Sequence, residues 1–187
     1  MTHMNRRNFT LAGLAGLGLT TAACGNGVGS NGAQEIDARV DNTLNYLYSN
    51  YPNSRDLADK SVGMLVMPVV TEAGFGFGGG YGRGALRVDD ITVDYYSATK
   101  GSFGLQIGAQ QYAHVLFFMT EGSLSEFRRS SGWAAGADLK YVVSDEGGIL
   151  KADTTTVLAP VIAVIFGQAG LHLGATLEGV KYNRIIP

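Results

Sequence analysis

The chain has 187 residues, 45% of them hydrophobic and 16% charged, with 27 glycines and a formal net charge of −2. That length suits one domain, the hydrophobic fraction excludes a disordered chain, and the net charge supplies no overall field for nucleic acid or an anionic surface. A single cysteine, Cys24, excludes an internal disulfide and gives no support for a thiolate zinc site, while abundant glycine favours a β-rich fold with many turns.

The N-terminus reads as an address. Arg6 and Arg7 form a positive start, Phe9 to Leu19 a mild apolar run, and Ala22-Ala23 a small-residue cleavage site. The apolar run is shorter than the roughly 20 residues a membrane span needs. Arg6-Arg7-Asn8-Phe9 resembles a twin-arginine export signal. Thr21-Ala22-Ala23-Cys24 resembles a bacterial lipobox with Thr21 where leucine is usual, which makes Cys24 the lipid-attachment site. We expect a signal peptide over 1–23 and a flexible Gly/Ser/Asn tether over 24–34. One domain follows over 35–187. With Gly25 after the cysteine, lipoprotein sorting by resemblance favours the outer membrane, facing the periplasm.

Ile36, Val40, Leu44, Leu47 and Tyr51 recur at helical spacing and predict an amphipathic helix ended by Pro52. Arg55 to Ser61 suits a short helix. Val62 to Val70 predicts a buried strand, with a turn expected at Glu72-Ala73-Gly74. From Gly74 to Gly84 every even position is glycine, with Phe75, Phe77, Tyr81 and Arg83 among the odd ones. An extended chain alternates its faces, so one face here is bare. Glycine weakens a strand, and its repetition points to close backbone approach or tight curvature. Val at Gly78 or Gly80 is therefore expected to overpack. A phosphate-cradling loop lacks its motif, since no G-x-x-x-x-G-K-[ST] is present.

Asp89-Asp90 marks the next turn. Strands are expected over Ile91–Tyr96, Phe103–Gln110 and Ala113–Met119. Ser123-Leu124-Ser125-Glu126 fits a capping box, opening a helix that carries Arg128 and Arg129 outward. Alternation from Trp133 to Val143, the run Val161–Phe166 and alternation from Leu171 to Glu178 predict three further strands, with a turn at Glu146-Gly147-Gly148. The expected fold class is α+β, with an antiparallel, strongly curved or barrel-like sheet of about six to eight strands, an N-terminal amphipathic helix and one short helix.

Chemistry-bearing clusters are scarce. His114 and His172 sit in expected strands with no partners at metal spacing, so a structural histidine is the reading and no metal site is assigned. No G-x-S-x-G elbow occurs. Asp89-Asp90 and Asp145-Glu146 fall in expected turns, as solvated acids do. The residues point away from an enzyme and imply no cofactor.

Three blocks in the first half, Lys60 to Pro68, the glycine segment through Leu86, and Asp94-Tyr95-Tyr96-Ser97, resemble bacterial SYLF-domain proteins. So do Gly104 to Gln110 and Gly170 to Gly179. The resemblance spans about 36–185. It implies a non-enzymatic lipid-binding domain, since eukaryotic relatives bind phosphoinositides and some bundle actin. Many relatives carry Lys before the terminal Gly-Leu and Ser before Leu-Glu-Gly, where this chain has Ala169 and Thr176. The expected function is lipid binding by a lipid-anchored envelope protein, with membrane lipid as partner and no nucleic acid. The alternative is a structural or protein-interaction module of the envelope. Any anionic headgroup must meet a local cluster, and the candidate cations are Arg83, Arg87, Arg128, Arg129, Lys181 and Arg184.

Overall fold

A computed structural model of the chain describes residues 29–136, 139–143, 159–167 and 177–187. The signal and most of the tether, with Arg6, Arg7, Phe9 and Cys24, lie outside those residues. Helix α1 (Gly32–Asn50) places Ile36, Val40, Leu44 and Leu47 on one buried stripe, the spacing that makes a helix dock by one face. It stops where Pro52 disfavours a helical residue before it, and the Tyr51 N–H closes it on the Leu47 carbonyl at 2.8 Å. A second helix, α2 (Ser54–Lys60), follows at once, with Asp56 in its first turn and Lys60 in its last, each favoured by the helix dipole.

Two long strands dominate the sheet. Strand β1 (Gly63–Val88) and strand β2 (Ile91–Phe118) pair antiparallel along their whole length. Asp89 and Asp90 join them with φ of 49° and 62°, the doubly left-handed two-residue turn that matches the twist of a hairpin. The register slips between Met67 and Val70, Gly74 and Gly76, and Leu86 and Arg87. Pro68, which has no N–H to give the ladder, lies in the first slip. The bare glycine face has a physical reason here. A Cβ on Gly82 would meet the Val69 carbonyl oxygen and Val70 Cγ2 at 2.7 Å, and one on Gly84 would overlap the Val66 carbonyl oxygen. The strand thus curls until its second half lies against the backbone of its first.

Strand β2 is the centre of the sheet. On the edge away from β1, its first half (Tyr95–Thr99) pairs with β6 (Lys181–Ile185), and its last six residues pair with β5 (Val161–Phe166). Strand β3 (Trp133–Ala134) extends β6, and β4 (Leu139–Val143) lies parallel to β5. Between β2 and β3 comes helix α3 (Glu121–Arg129). The result is a strongly curled α+β sheet.

Curling makes two cores. Leu65, Met67, Leu86, Tyr96, Tyr112, Leu116, Phe118 and Tyr182 fill the inside of the curl with Leu124 and Phe127 of α3. The Phe127 ring lies 4.7 Å from that of Tyr96 and 4.9 Å from that of Phe118. Met64, Val66, Ala85, Val115, Phe117, Ile162 and Val164 face the other way and receive α1.

The departures from expectation are local. No turn forms at 72–74, and what reads as five strands is two, because curvature comes from register slips inside continuous strands rather than from breaks. The cap of α3 is Thr120, whose side chain accepts from the Ser123 N–H. Ser123 is therefore inside the helix, three residues after the cap rather than at it. The run from Trp133 to Val143 is two strands rather than one, and β4 is parallel where antiparallel was expected. Strand β6 was not anticipated. The turn at 146–148 and the alternation over 171–176 lie outside the described residues.

Candidate functional site

Residues paired across a sheet share a face, and this sorts the candidate cations. Arg87 sits against α1, where its Nη2 meets Asp41 Oδ1 at 2.7 Å with the arginine side chain only 13% exposed. Arg83 pairs in register with Ser97, which pairs with Asn183. Two residues along, Tyr81 pairs with Thr99, and Thr99 with Lys181. Arg83 and Lys181 thus share the outward face, beside exposed Tyr81.

Arg128, Arg129 and Arg184 converge. Together with Glu121, Leu124 and Ser125 they line a groove of about 390 Å³. The last turn of α3 supplies the first two, and β6 supplies Arg184 opposite Tyr96. Asp94 on β2 holds two of them, with Oδ2 accepting from Arg128 Nε at 3.3 Å and from Arg184 Nη2 at 3.2 Å. Arg129 Nε donates to the Ser125 carbonyl at 3.2 Å. Arg184 is pushed further toward its charged form by the Tyr96 hydroxyl and then by Asp94. One carboxylate cannot saturate two guanidiniums, each with five donors, so the groove keeps forks to offer an anion.

The same end of the sheet carries exposed apolar side chains. Ile186 is 72% exposed, Ile91 67% and Val93 38%. The chain that leads from the tether arrives here too. Ser30 Oγ donates to the Pro187 carbonyl at 3.1 Å, and Gly32 packs so closely on Pro187 that a Cβ would lie 2.9 Å from its carbonyl carbon. Asp37, one turn into α1, accepts from the Thr92 and Tyr95 hydroxyls at 2.8 Å each, which fixes the helix start on this rim.

A second polar cluster lies inside the curl. Glu72 accepts from Tyr112 at 2.8 Å, from Lys100 at 3.1 Å and from Gln110 at 2.9 Å. Burial acts to raise its pKa, but the bonds from Tyr112, Gln110 and Lys100 outweigh it and the carboxyl ends lowered. A carboxylate held this way is a poor proton acceptor at neutral pH, so the cluster ties strands rather than moving protons. Nearby, the His114 Nε2 and Tyr182 hydroxyl lie in hydrogen-bond contact at 2.8 Å, and His114 Nδ1 is buried without a partner. Burial and then the Lys100 charge pull His114 down to about 3. Among the described residues no group of three His, Cys, Asp or Glu is placed to hold a metal, and no helix is long and apolar enough to cross a membrane.

Sequence reasoning named the three converging arginines but gave no site role to Asp94, which clamps two of them, nor to Ile186, which flanks them. Val180 and Tyr182 alternating with Lys181 and Asn183 were the available signal for β6, and β6 brings Arg184 and Ile186 to the rim. Residues 99–184 match a protein-family model described as Ysc84, Las17-binding protein actin regulator. No curated protein matches the chain. The matched stretch contains α3, β5, nearly all of β6 and every arginine of the groove, and it supports the SYLF family for this chain.

Proposed function

We propose that this is a non-enzymatic, membrane-lipid-binding domain held at the cell envelope through Cys24, with the arginine rim turned toward the bilayer. The observation that carries the reading is the convergence of Arg128, Arg129 and Arg184 beside exposed Ile186, at the end of the domain where the chain arrives from the tether. A short tether from a lipidated Cys24 would present this end to the membrane first. Each cation near an anionic surface contributes about 1 kcal/mol, and guanidinium forks suit phosphate oxygens. The family is associated with lipid binding and actin regulation. Only the lipid part suits a chain read as exported to a bacterial envelope.

Two measurements test this. Cys24→Ala should move the protein from the membrane to the soluble fraction on cell fractionation; an unchanged distribution would remove Cys24 as the anchor. Arg128→Ala with Arg129→Ala should weaken flotation with phosphatidylglycerol-containing vesicles about tenfold or more, at roughly 1 kcal/mol per cation, and salt should weaken the wild type likewise. Equal flotation with anionic and neutral vesicles, or none with either, would put an envelope protein-interaction module ahead of lipid binding.

A further inference from the structure

A second groove opens on the opposite side of the same hairpin end. It has a volume of about 360 Å³ and lies between α2, the C-terminal half of α1 and the Asp89–Asp90 turn, within the size range of small-ligand sites. One wall is α2, where Arg55 and Asp59 stand one turn apart on a single helix face. The Arg55 guanidinium lies over the Tyr48 ring, 4.8 Å from its centroid. The other wall is the hairpin end, with Arg87, Asp89 and Asp90, and the floor is Ser61, Gly63 and Met64.

The charges in the groove are not settled by the protein itself. Among the described residues no side-chain hydrogen bond or ion pair joins the carboxylates of Asp59, Asp89 or Asp90 to another group. Arg87 reaches Asp41 through Nη2, while its Nε is buried with no acceptor, an arrangement that costs free energy until a second acceptor arrives. Counting Asp41, two guanidiniums face four carboxylates. A plain anion is therefore repelled, and a plain cation leaves Arg87 short of an acceptor. A ligand with an oxyanion at one end and a hydrogen-bonding ammonium at the other satisfies both. Ile91, 67% exposed, follows the acidic turn directly, so an apolar side chain flanks this polar groove as it would where a headgroup meets acyl chain.

We propose that this groove binds a primary-amine phosphate zwitterion, the headgroup of an aminoalkyl phospholipid, with Arg55 and Arg87 on the phosphate and Asp59, Asp89 and Asp90 on the ammonium. The inference rests on the membrane reading above and adds a lipid class to it. A quaternary ammonium has no N–H for the carboxylates, so the groove distinguishes ethanolamine from choline.

Calorimetry on the full chain with glycerophosphoethanolamine, glycerophosphate and glycerophosphocholine tests the chemistry. The first should bind about tenfold more tightly than either of the others, the scale of one charge-assisted hydrogen bond. Asp89→Asn with Asp90→Asn should abolish that preference. Asparagine tolerates the left-handed backbone of both positions, so the hairpin is kept, and an unchanged melting temperature verifies it. Flotation with vesicles of phosphatidylethanolamine and phosphatidylcholine, against phosphatidylcholine alone, tests the source, and a preference for the former supports a lipid ligand. If the soluble compound binds but the vesicles show no preference, the lipid assignment is overturned in favour of a free aminoalkyl phosphate. If the three soluble compounds bind equally, or the double variant keeps the preference, the groove assignment falls. Retained flotation with phosphatidylglycerol vesicles in that case leaves the arginine rim standing.

Discussion

Valine in place of Gly84 should prevent the domain from folding. A Cβ at that position would overlap the Val66 carbonyl oxygen and crowd Met67 Sδ, both in the first half of the same strand. The sulfur can rotate away, but the carbonyl oxygen is fixed by the ladder between β1 and β2. Overpacking a well-packed site costs about 1–3 kcal/mol and sometimes more, and a clash with backbone belongs at the upper end or beyond. Small domains have only about 5–15 kcal/mol in total. Gly101→Ala is the matched control, since nothing lies within 4 Å of a Cβ built there. Circular dichroism melts should show a loss of at least 3 kcal/mol, or no folded protein, for Gly84→Val. A melting temperature equal to wild type would remove the self-contact of β1.

Acid should weaken the domain well above the range in which carboxylates titrate. His114 is fully buried, and its pKa is pulled from the ordinary 6.5 down to about 3, by burial first and the Lys100 charge second. A base with a depressed folded pKa favours folding while it is neutral. Its contribution is complete above pH 6.5 and is lost as pH falls from 6.5 toward 3. The slope approaches about 1.4 kcal/mol per pH unit, so about 2–3 kcal/mol should disappear between pH 6.5 and 4.5. Glu72, whose folded pKa is lowered from 4.5, adds its own loss only below that window. His114→Gln keeps a polar partner for the Tyr182 hydroxyl and cannot titrate. Urea melts of this variant should show a flat stability between pH 6.5 and 4.5, where the wild type slopes. Parallel slopes for the two proteins would mean that His114 is not the acid-sensitive group.

The helix faces and the hairpin turn were legible because each is written locally. Ile36, Val40, Leu44 and Leu47 repeat at the helical period, and Asp89-Asp90 interrupts two β-rich runs. The glycine alternation announced close approach but not what approaches. Among the described residues the tightest positions of the run are Gly82 and Gly84, at its end, because the contact is with residues twelve to eighteen positions earlier in the same strand, a distance no local pattern records. At Gly80, one of the two positions expected to overpack, the nearest atom is Glu72 Cγ at 2.9 Å, a side chain rather than backbone. The strand breaks were misread for the same reason, since a slipped register and a turn both use glycine. Arg128-Arg129 stood out as an adjacent pair, whereas their link to Asp94 and Arg184 depends on the non-local pairing of β2 with β6.

Strand β2 also decides how far the domain extends. The family match begins at Thr99, in the middle of that strand, and Thr99 is the last β2 residue that pairs with β6. The four partners before it, Tyr95 to Ala98, lie outside the match, as does the whole of β1. A segment cut at the similarity boundary would leave most of β6 without its ladder and bare the β2 edge that β1 covers, an invitation to pair with other chains. The matched stretch is smaller than the packed unit, and a piece meant to fold must reach back through both arms of the hairpin to Gly63 and on to α1, which fills the second core.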